Sequence, residues 1–409
     1  MVIKMKKIQA IPSAVRTILF MLAAVLLLWA MSAIASVGRA ERVQNDAYTN
    51  GRVVEILSRH EEYYGGDNSL RDLTITFTAD IGDRQITATQ TISDGVIAGD
   101  RREVEPGSKV LLMNNAPDDA DPNYIFTGFV RTDALVGLGI AFALALVLFG
   151  RTRGLITLVT LGLTCAAVFG CFIPAVLAGK NVYVWTLLVC AYITVFTLLL
   201  IGSGSRKSIA AMLGCMGGTL VAALVMAIAN CFLRMTGFLD DSTAFLLYLD
   251  TPEPIDLQAL LYAAILIGAL GAVMDVAVDI SSSLAEIAAK VEHPTFGLLL
   301  RSGITIGRDL IGTMSNTLVL AYIGSSLSVV LLIAGSSGTS LYYILNQERI
   351  VFEILQALVG SFGILSALPL TAAVSALLFG RRAEVRDEYT ELLEAAEQEK
   401  ENANRRQNP

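Results

Sequence analysis

Apolar positions along the chain fall in long blocks. Eight runs, at 15–35, 134–150, 155–176, 182–201, 209–233, 257–275, 310–334 and 351–379, have the length that a helix needs to cross the hydrocarbon core of a bilayer, roughly 17–25 residues for about 30 Å. The pattern therefore predicts eight transmembrane helices. Between residues 38 and 132 the period drops to two. Thr74-Ile75-Thr76-Phe77-Thr78-Ala79 and Gln85-Ile86-Thr87-Ala88-Thr89 alternate as half-buried strands do, and Ile81-Gly82-Asp83-Arg84 between them reads as a hairpin turn. Further strands are expected at 48–56, 109–114 and 124–130, with Pro106-Gly107 as a turn. Five short strands in one small segment point to a barrel of the OB type, a form that leaves few open edges.

The expected fold is an all-α polytopic membrane protein carrying a small all-β domain outside the cytoplasm. Its parts are a cytoplasmic N-terminus with the first span (1–37), the β domain (38–132), a seven-helix membrane domain (133–380) and a charged cytoplasmic tail (381–409). In that tail Val385, Tyr389, Leu392, Leu393 and Ala396 keep helical spacing, so the last span is expected to run on as a helix before a disordered end.

Charge sets the orientation. Lys4, Lys6, Lys7 and Arg16 precede or open the first span, which places the N-terminus in the cytoplasm. Alternation then puts Arg151 and Arg153, Arg206 and Lys207, Lys290, Arg301 and Arg308, and Arg381 and Arg382 inside. The outside turns keep only Lys180, Arg234 and Arg349, and one of them is acidic, with Asp240, Asp241, Asp250, Glu253 and Asp256. Both termini are thus expected in the cytoplasm. The basic start, short apolar core and Ala33-Ile34-Ala35 also fit a cleavable signal peptide, and either reading exports the β segment.

Composition narrows the chemistry. Of 409 residues 54% are hydrophobic and 16% charged, which does not suit an ordinary soluble enzyme. The chain has two histidines, His60 and His293, too few for most metal, Ser-His and Cys-His sites. The β segment carries 10 basic and 16 acidic side chains, a sign unsuited to nucleic acid or anionic lipid. Its Asp118-Asp119-Ala120-Asp121 run lacks calcium-loop spacing and reads as a solvated turn between prolines. All five cysteines fall in or beside the spans, where they read as small packing residues, so no disulfide framework staples the exported domain. No cofactor is implied.

What stands out is polarity inside the membrane region. On a helix, Asp275, Asp279, Ser282, Glu286 and Lys290 share one face, giving an anionic stripe at the cytoplasmic end of a span. Such groups are costly in lipid and mark ion or proton paths, unless the span ends before Asp275 and the face is simply solvated. In the next span Ser302, Asp309 and Asn316 recur every seven residues with Thr305 and Thr313 beside them, while Gly303, Gly307 and Gly312 would permit close helix approach. Arg308 set against Asp275 or Asp279 would neutralise buried charge, either within a path or as structural glue. Asn230, Tyr322, Ser361, Ser366, Pro369 and Ser375 are weaker polar or bending signals within spans. Gly214 and Gly218 read as a small-xxx-small contact.

Ile255-Asp256-Leu257 leading into Gly268-Ala269-Leu270-Gly271-Ala272-Val273-Met274-Asp275-Val276-Ala277, followed by the stretch from Ser302 through Arg308-Asp309 to Asn316-Thr317-Leu318, resembles the YibE/F family of bacterial membrane proteins over roughly residues 125–380. The exported segment is similar to the larger, YibE-like type. That resemblance implies a bacterial plasma-membrane location, a permease-like outline, no assigned substrate and pairing with a shorter YibF-like membrane protein or with itself; Thr305 stands where members often carry Asn.

Three functional classes follow. The first is a permease moving an ion or small solute along Asp275, Asp279, Ser282, Glu286, Arg308, Asp309, Thr313 and Asn316. The second is a non-transporting envelope assembly or sensory subunit whose polar cluster locks helices. The third is intramembrane proteolysis by Asp275 and Asp309 sharing a proton, although the glycine-aspartate context of that chemistry is missing.

Overall fold

The computed structural model describes residues 13–37, 48–64, 70–82, 84–94, 101–115, 123–335 and 340–407. The chain divides into two compact units, Glu41–Phe149 and the remainder, Met1–Ala40 with Gly150–Pro409.

In the first unit the alternating residues form β1 (Tyr48–Tyr64), β2 (Leu70–Ile81), β3 (Arg84–Ser93), β4 (Lys109–Asn114) and β5 (Tyr124–Phe129). They close into a barrel in the order β1-β2-β3-β5-β4. Closure requires β1 to serve two neighbours. Its first residues pair with β4 and the rest with β2, and bulges between Val53 and Glu55 and between Ile56 and Ser58 let it curl from one to the other. At the β2–β3 hairpin Ile81 pairs with Arg84, and Gly82 takes the left-handed backbone (φ 59°) that the tight turn demands.

The inward set is the expected one: Leu73, Ile75, Phe77 and Ala79 of β2 meet Val53, Ala88, Ile92, Val110 and Leu112. One polar side chain joins them. Gln90, 1% exposed, donates from Nε2 to the Arg102 carbonyl (2.8 Å) and accepts from Val104 N–H (2.9 Å), which pins residues 102–104 to the barrel. The Asp118–Asp121 run lies outside the described residues.

The helices are α1 (Ser13–Ser36), α2 (Thr132–Ala167) with a π-helical turn (Val168–Phe172) and α3 (Ile173–Leu177), α4 (Val182–Ile201), α5 (Arg206–Leu233), α6 (Asp241–Phe245), α7 (Leu257–Lys290), α8 (Phe296–Ser325), α9 (Leu327–Gly335), α10 (Leu341–Leu345) and α11 (Glu348–Gln407). Six of the described helices are long and apolar enough to cross a membrane: Val15–Ser36, Thr132–Leu177, Val182–Ile201, Arg206–Leu233, Leu257–Lys290 and Glu348–Gly380.

The expected count of eight is therefore not supported: six stretches qualify among the described residues, with Thr132–Leu177 counted as one. The boundary expected between runs 134–150 and 155–176 is present as a kink between two helices, where Arg151 leaves helical geometry (φ 49°, ψ −127°) within the stretch Thr132–Leu177. Run 310–334 is cut at Ser326, where α8 ends and the short α9 begins, so neither piece combines the needed length and hydropathy. The last span continues as expected, with α11 running through the charged tail to Gln407.

Side-chain caps start the helices that matter for the site. Asp256 accepts from Ala259 N–H at the start of α7 (3.0 Å), and Thr295 from Leu298 N–H at the start of α8 (3.4 Å). α11 packs along α5, α7 and α8. A Cβ on Gly214 would fall 1.8 Å from Thr371 Oγ1, and one on Gly218 2.7 Å from Ala367 Cβ, so the small-xxx-small pair seats α11 against α5. The periphery of the bundle is apolar instead: Leu213, Leu220, Leu224, Ile228, Phe232, Leu358 and Phe362 are all exposed, as lipid-facing side chains are.

A polar clamp holds the loop after α5. Glu348, at the start of α11, accepts from Thr236 N–H (2.6 Å), Thr236 hydroxyl (2.7 Å) and Gly237 N–H (2.5 Å). Arg349 binds Asp240 at 2.9 Å. Asp240 in turn caps α6 in a reciprocal box with Thr243. The Thr243 hydroxyl and N–H, then Arg349, hold the Asp240 carboxyl below its ordinary range.

Candidate functional site

One stripe on α7 stays open while the rest of the helix packs. Ala264, Gly268, Gly271, Asp275, Asp279 and Glu286 are exposed and Ser282 is half-buried, at the three- and four-residue steps of a single helix face. Behind them Ile265, Leu266, Ala269, Leu270, Val273, Val276, Ala277, Ile280 and Leu284 are buried. The stripe holds no large apolar side chain and runs roughly 33 Å at about 1.5 Å per residue.

α8 lies beside it. Leu299, Gly303 and Gly307 are its buried residues, and glycine at the last two lets the helix close in: a Cβ on Gly307 would meet Leu368 Cδ1 at 2.2 Å, and one on Gly303 would meet Ala372 Cβ at 2.8 Å and Leu284 Cδ1 at 2.9 Å. The other side of α8 is open and polar, with Arg301, Thr305, Arg308, Asp309, Gly312, Thr313, Asn316 and Thr317 all exposed. Gly303 and Gly307 act as the sequence predicts, but Gly312 does not, because nothing lies within 4 Å of its Cβ position.

Two contacts fix the register of the pair. Leu284 lies against Gly303, and over Gly268 two polar atoms converge, Gln356 Nε2 at 2.9 Å and Tyr322 Oη at 3.7 Å from the Cβ position. α7 and α8 run antiparallel, so Asp279 stands at the level of Arg308 and Asp309, Asp275 at the level of Thr313, and Glu286 at the level of Arg301. Arg301, Arg308, Ser315 and Tyr322 are spaced by seven and share a face. Tyr322 leans over Gly268, and so that row borders the α7 stripe. The result is an open seam, acidic on the α7 side and carrying Arg301, Arg308 and Asp309 on the α8 side, with Tyr322 and Gln356 over Gly268.

The polar residues expected to line a path are thus brought to one seam, though not into contact. Among the described residues Arg308 forms no ion pair with Asp275 or Asp279, contrary to the pairing expected, because its side of α8 borders the stripe without facing into it. Glu286 pairs with Lys290 one turn on (2.8 Å), both well exposed, so the end of the stripe behaves as a solvated helix face. Thr313 donates to the Leu310 carbonyl (3.0 Å) and Thr305 to the Arg301 carbonyl (3.0 Å), which uses their protons within α8. Ser361 likewise donates within its helix, to Ala357 O (2.8 Å).

Depth follows from length. α7 has 34 residues, roughly 50 Å, against about 30 Å of hydrocarbon. Measured from Asp256, Asp275 and Asp279 come about 28–35 Å along the helix, where the span leaves the apolar slab. Gly268, Gly271, Gly312, Thr313 and Asn316 lie on the apolar side of that boundary. The seam therefore carries its charged side chains toward the C-terminal end of α7 and small, hydroxyl or amide side chains deeper in.

Sequence reasoning missed Gln356. It sits one turn after Glu353 in the last long helix, and only the fold brings it over Gly268. It missed the Glu348 clamp for the same reason, since its partners are more than a hundred residues away. Among the described residues no group of three or more His, Cys, Asp or Glu side chains is placed to hold a metal ion. In the barrel, the cleft between Arg102, Ser108, Lys109, Phe129, Val130 and Arg131 has its cations engaged locally, Lys109 by Asp133 and Arg102 over the Phe129 ring (5.8 Å).

Comparison with known proteins gives one match. A family model described as YibE/F-like protein covers residues 138–381, which includes all of α7 and α8 and the membrane part of α11. No curated protein and no solved structure matches the chain.

Proposed function

The chain belongs to the YibE/F-like protein family, and on that premise we propose that it is a permease-like membrane protein that moves an ion or small solute along the α7–α8 seam. The observation that carries this reading is the α7 stripe itself. A helix that is packed on its other side keeps one face free of large apolar groups from Ala264 onward and sets two carboxylates on it where the span reaches the edge of the hydrocarbon. Asp275 and Asp279 are the groups that exchange a proton or cation, and Arg308 at the same level limits the cost of charge at the edge of the hydrocarbon. Thr313 and Asn316 supply oxygen ligands deeper in the seam. In this proposal the protein resides in a bacterial plasma membrane with both termini in the cytoplasm and the barrel outside, an orientation supported by Lys4, Lys6, Lys7 and Arg16 at the start of the first span.

The test is flux. Purified protein in proteoliposomes, driven by a pH or cation gradient and read with an internal dye, should lose transport when Asp275→Asn is introduced while yield and elution profile stay unchanged. Unchanged flux in that variant would sink the reading.

One observation favours a second reading, the envelope assembly or sensory subunit: the stripe is open on its outer side, which suits a helix lock as well as a path. In that case the barrel binds the partner, and removal of residues 38–132 abolishes function. Full function of the truncated chain would eliminate it.

A further inference from the structure

The seam is open to the outside of the bundle, and its two sides carry opposite charge. On α7 the exposed stripe presents Asp275 and Asp279; on α8 the adjoining open side presents Arg301 and Arg308 with one acid, Asp309, a net positive set at matching depth, none of them ion-paired among the described residues. Deeper in, the same two faces present Gly271 and Gly312, each with nothing within 4 Å of its Cβ position, and the exposed Asn316. A surface of this kind is not suited to hydrocarbon. Exposed glycines offer close approach to another helix, and an amide in lipid is satisfied across a helix–helix contact.

We propose that the seam is covered by a second copy of this chain, docked about a two-fold axis along the membrane normal so that α7 of each copy faces α8 of the other. Self-complementarity points to a like partner. An isologous interface needs one patch to hold both halves of its own match, and such an axis keeps every residue at its own depth. This patch has both halves at one depth: the acids of α7 meet Arg301 and Arg308 of the second copy, and Gly271 and Gly312 admit the close packing. A different membrane chain would need no such pairing of opposite rows within a single seam. The interface goes beyond the transport reading and does not depend on it: loss of flux in Asp275→Asn with an intact dimer, or normal flux from a monomer, separates the two.

The test uses the full chain in membranes, with exposed Cys165 and Cys231 replaced by serine. Two differently tagged copies are co-expressed, one carrying Asp279→Cys and the other Arg308→Cys, and treated with a short bis-maleimide. A product of twice the chain mass bearing both tags, and needing both cysteines, is expected. Absence of that product from protein that still elutes as a single folded species would overturn the proposal, as would a product joining one copy to a chain of another mass.

Charge exchange gives a second reading that does not rely on reagent geometry. Copies bearing Asp279→Arg or Arg308→Asp should each self-associate about tenfold less than wild type, a shift of about 1.4 kcal/mol. When mixed, the Asp279→Arg copy should pull down the Arg308→Asp copy in preference to itself. Equal recovery of like and unlike pairs would place the charge contact within one chain and contradict the interface.

Discussion

The barrel and the helical bundle follow opposite rules for what faces outward, and the contrast is what makes the seam legible. In the barrel Leu73, Ile75, Phe77 and Ala79 point in, while Thr74, Thr76 and Thr78 alternate with them and lie less deeply buried. In the bundle Leu220, Leu224 and Phe232 point out, and the interior is built from Ala211, Gly214, Cys215 and Gly218. An exposed threonine is ordinary in the first region and informative in the second. An exposed phenylalanine is the reverse. The α7–α8 seam is the place where the bundle exposes what the barrel would.

The contrast is open to being broken by paired substitutions, and the largest effect is expected in the barrel core. Phe77→Ala should destabilise the barrel by about 3–5 kcal/mol, since it empties a fully buried aromatic site, whereas Phe232→Ala on the lipid face should change stability by less than about 0.5 kcal/mol. Chemical denaturation followed by tryptophan-independent probes on each unit would read both. Comparable losses at the two sites would mean that Phe232 is packed in the native assembly and that the bundle periphery is not all lipid-facing.

Next comes Gln90→Leu, which removes the partners of the Arg102 carbonyl and the Val104 N–H and should cost roughly 1–3 kcal/mol, read as a shift in barrel unfolding. Glu348→Ala tests the polar clamp at the bundle end. It strips three hydrogen bonds to one carboxylate and should cost about 1.5–3 kcal/mol, with faster hydrogen exchange at Thr236 and Gly237.

The smallest effect belongs to Asp240. Its folded-state carboxyl is held below the ordinary range while the unfolded one is not, so its contribution is present above the unfolded value of 3.8 and fades as pH falls through the lowered folded value. The carboxylate is substantially exposed, so solvent screening keeps the effect small. Asp240→Ala should remove about 1 kcal/mol or less at neutral pH and nothing further at strongly acid pH, measured by thermal unfolding across pH. An equal loss at both pH values would mean that the cap works without its charge.

How much of this was readable in the chain depended on the range of the interactions. The barrel strands were legible because each carries its own period of two and its own turn residues, Gly82 and Gly107 among them. The second half of β1 was not. Ser58-Arg59-His60-Glu61-Glu62 has no strand pattern and is ordered by its ladder with β2. The polar rows of α7 and α8 were legible from helical spacing alone, and so was the tight packing at Gly303 and Gly307. Their register was not, because it is set by Leu284 against Gly303 and by Gln356 and Tyr322 over Gly268. The helix count failed where hydropathy is blind to backbone: the run 310–334 stays apolar through Ser326, yet the helix ends there, whereas the break between runs 134–150 and 155–176 was legible and falls at Arg151. The expected Arg308 pairing failed because spacing gives the face of one helix and not the direction of its neighbour.

Central to the proposed function is that Asp275 and its neighbours form a working ion site and not merely a helix lock. The most direct measurement is a thermal-shift panel of monovalent and divalent cations across pH on wild-type protein beside Asp275→Asn and Asp309→Asn. A group that binds only the folded state raises its stability. At least one cation, or protonation itself, is expected to raise the unfolding temperature of wild type, and Asp275→Asn to abolish the response without lowering the baseline. No response in wild type, with both variants simply less stable, would contradict the ion site and leave the seam as structure.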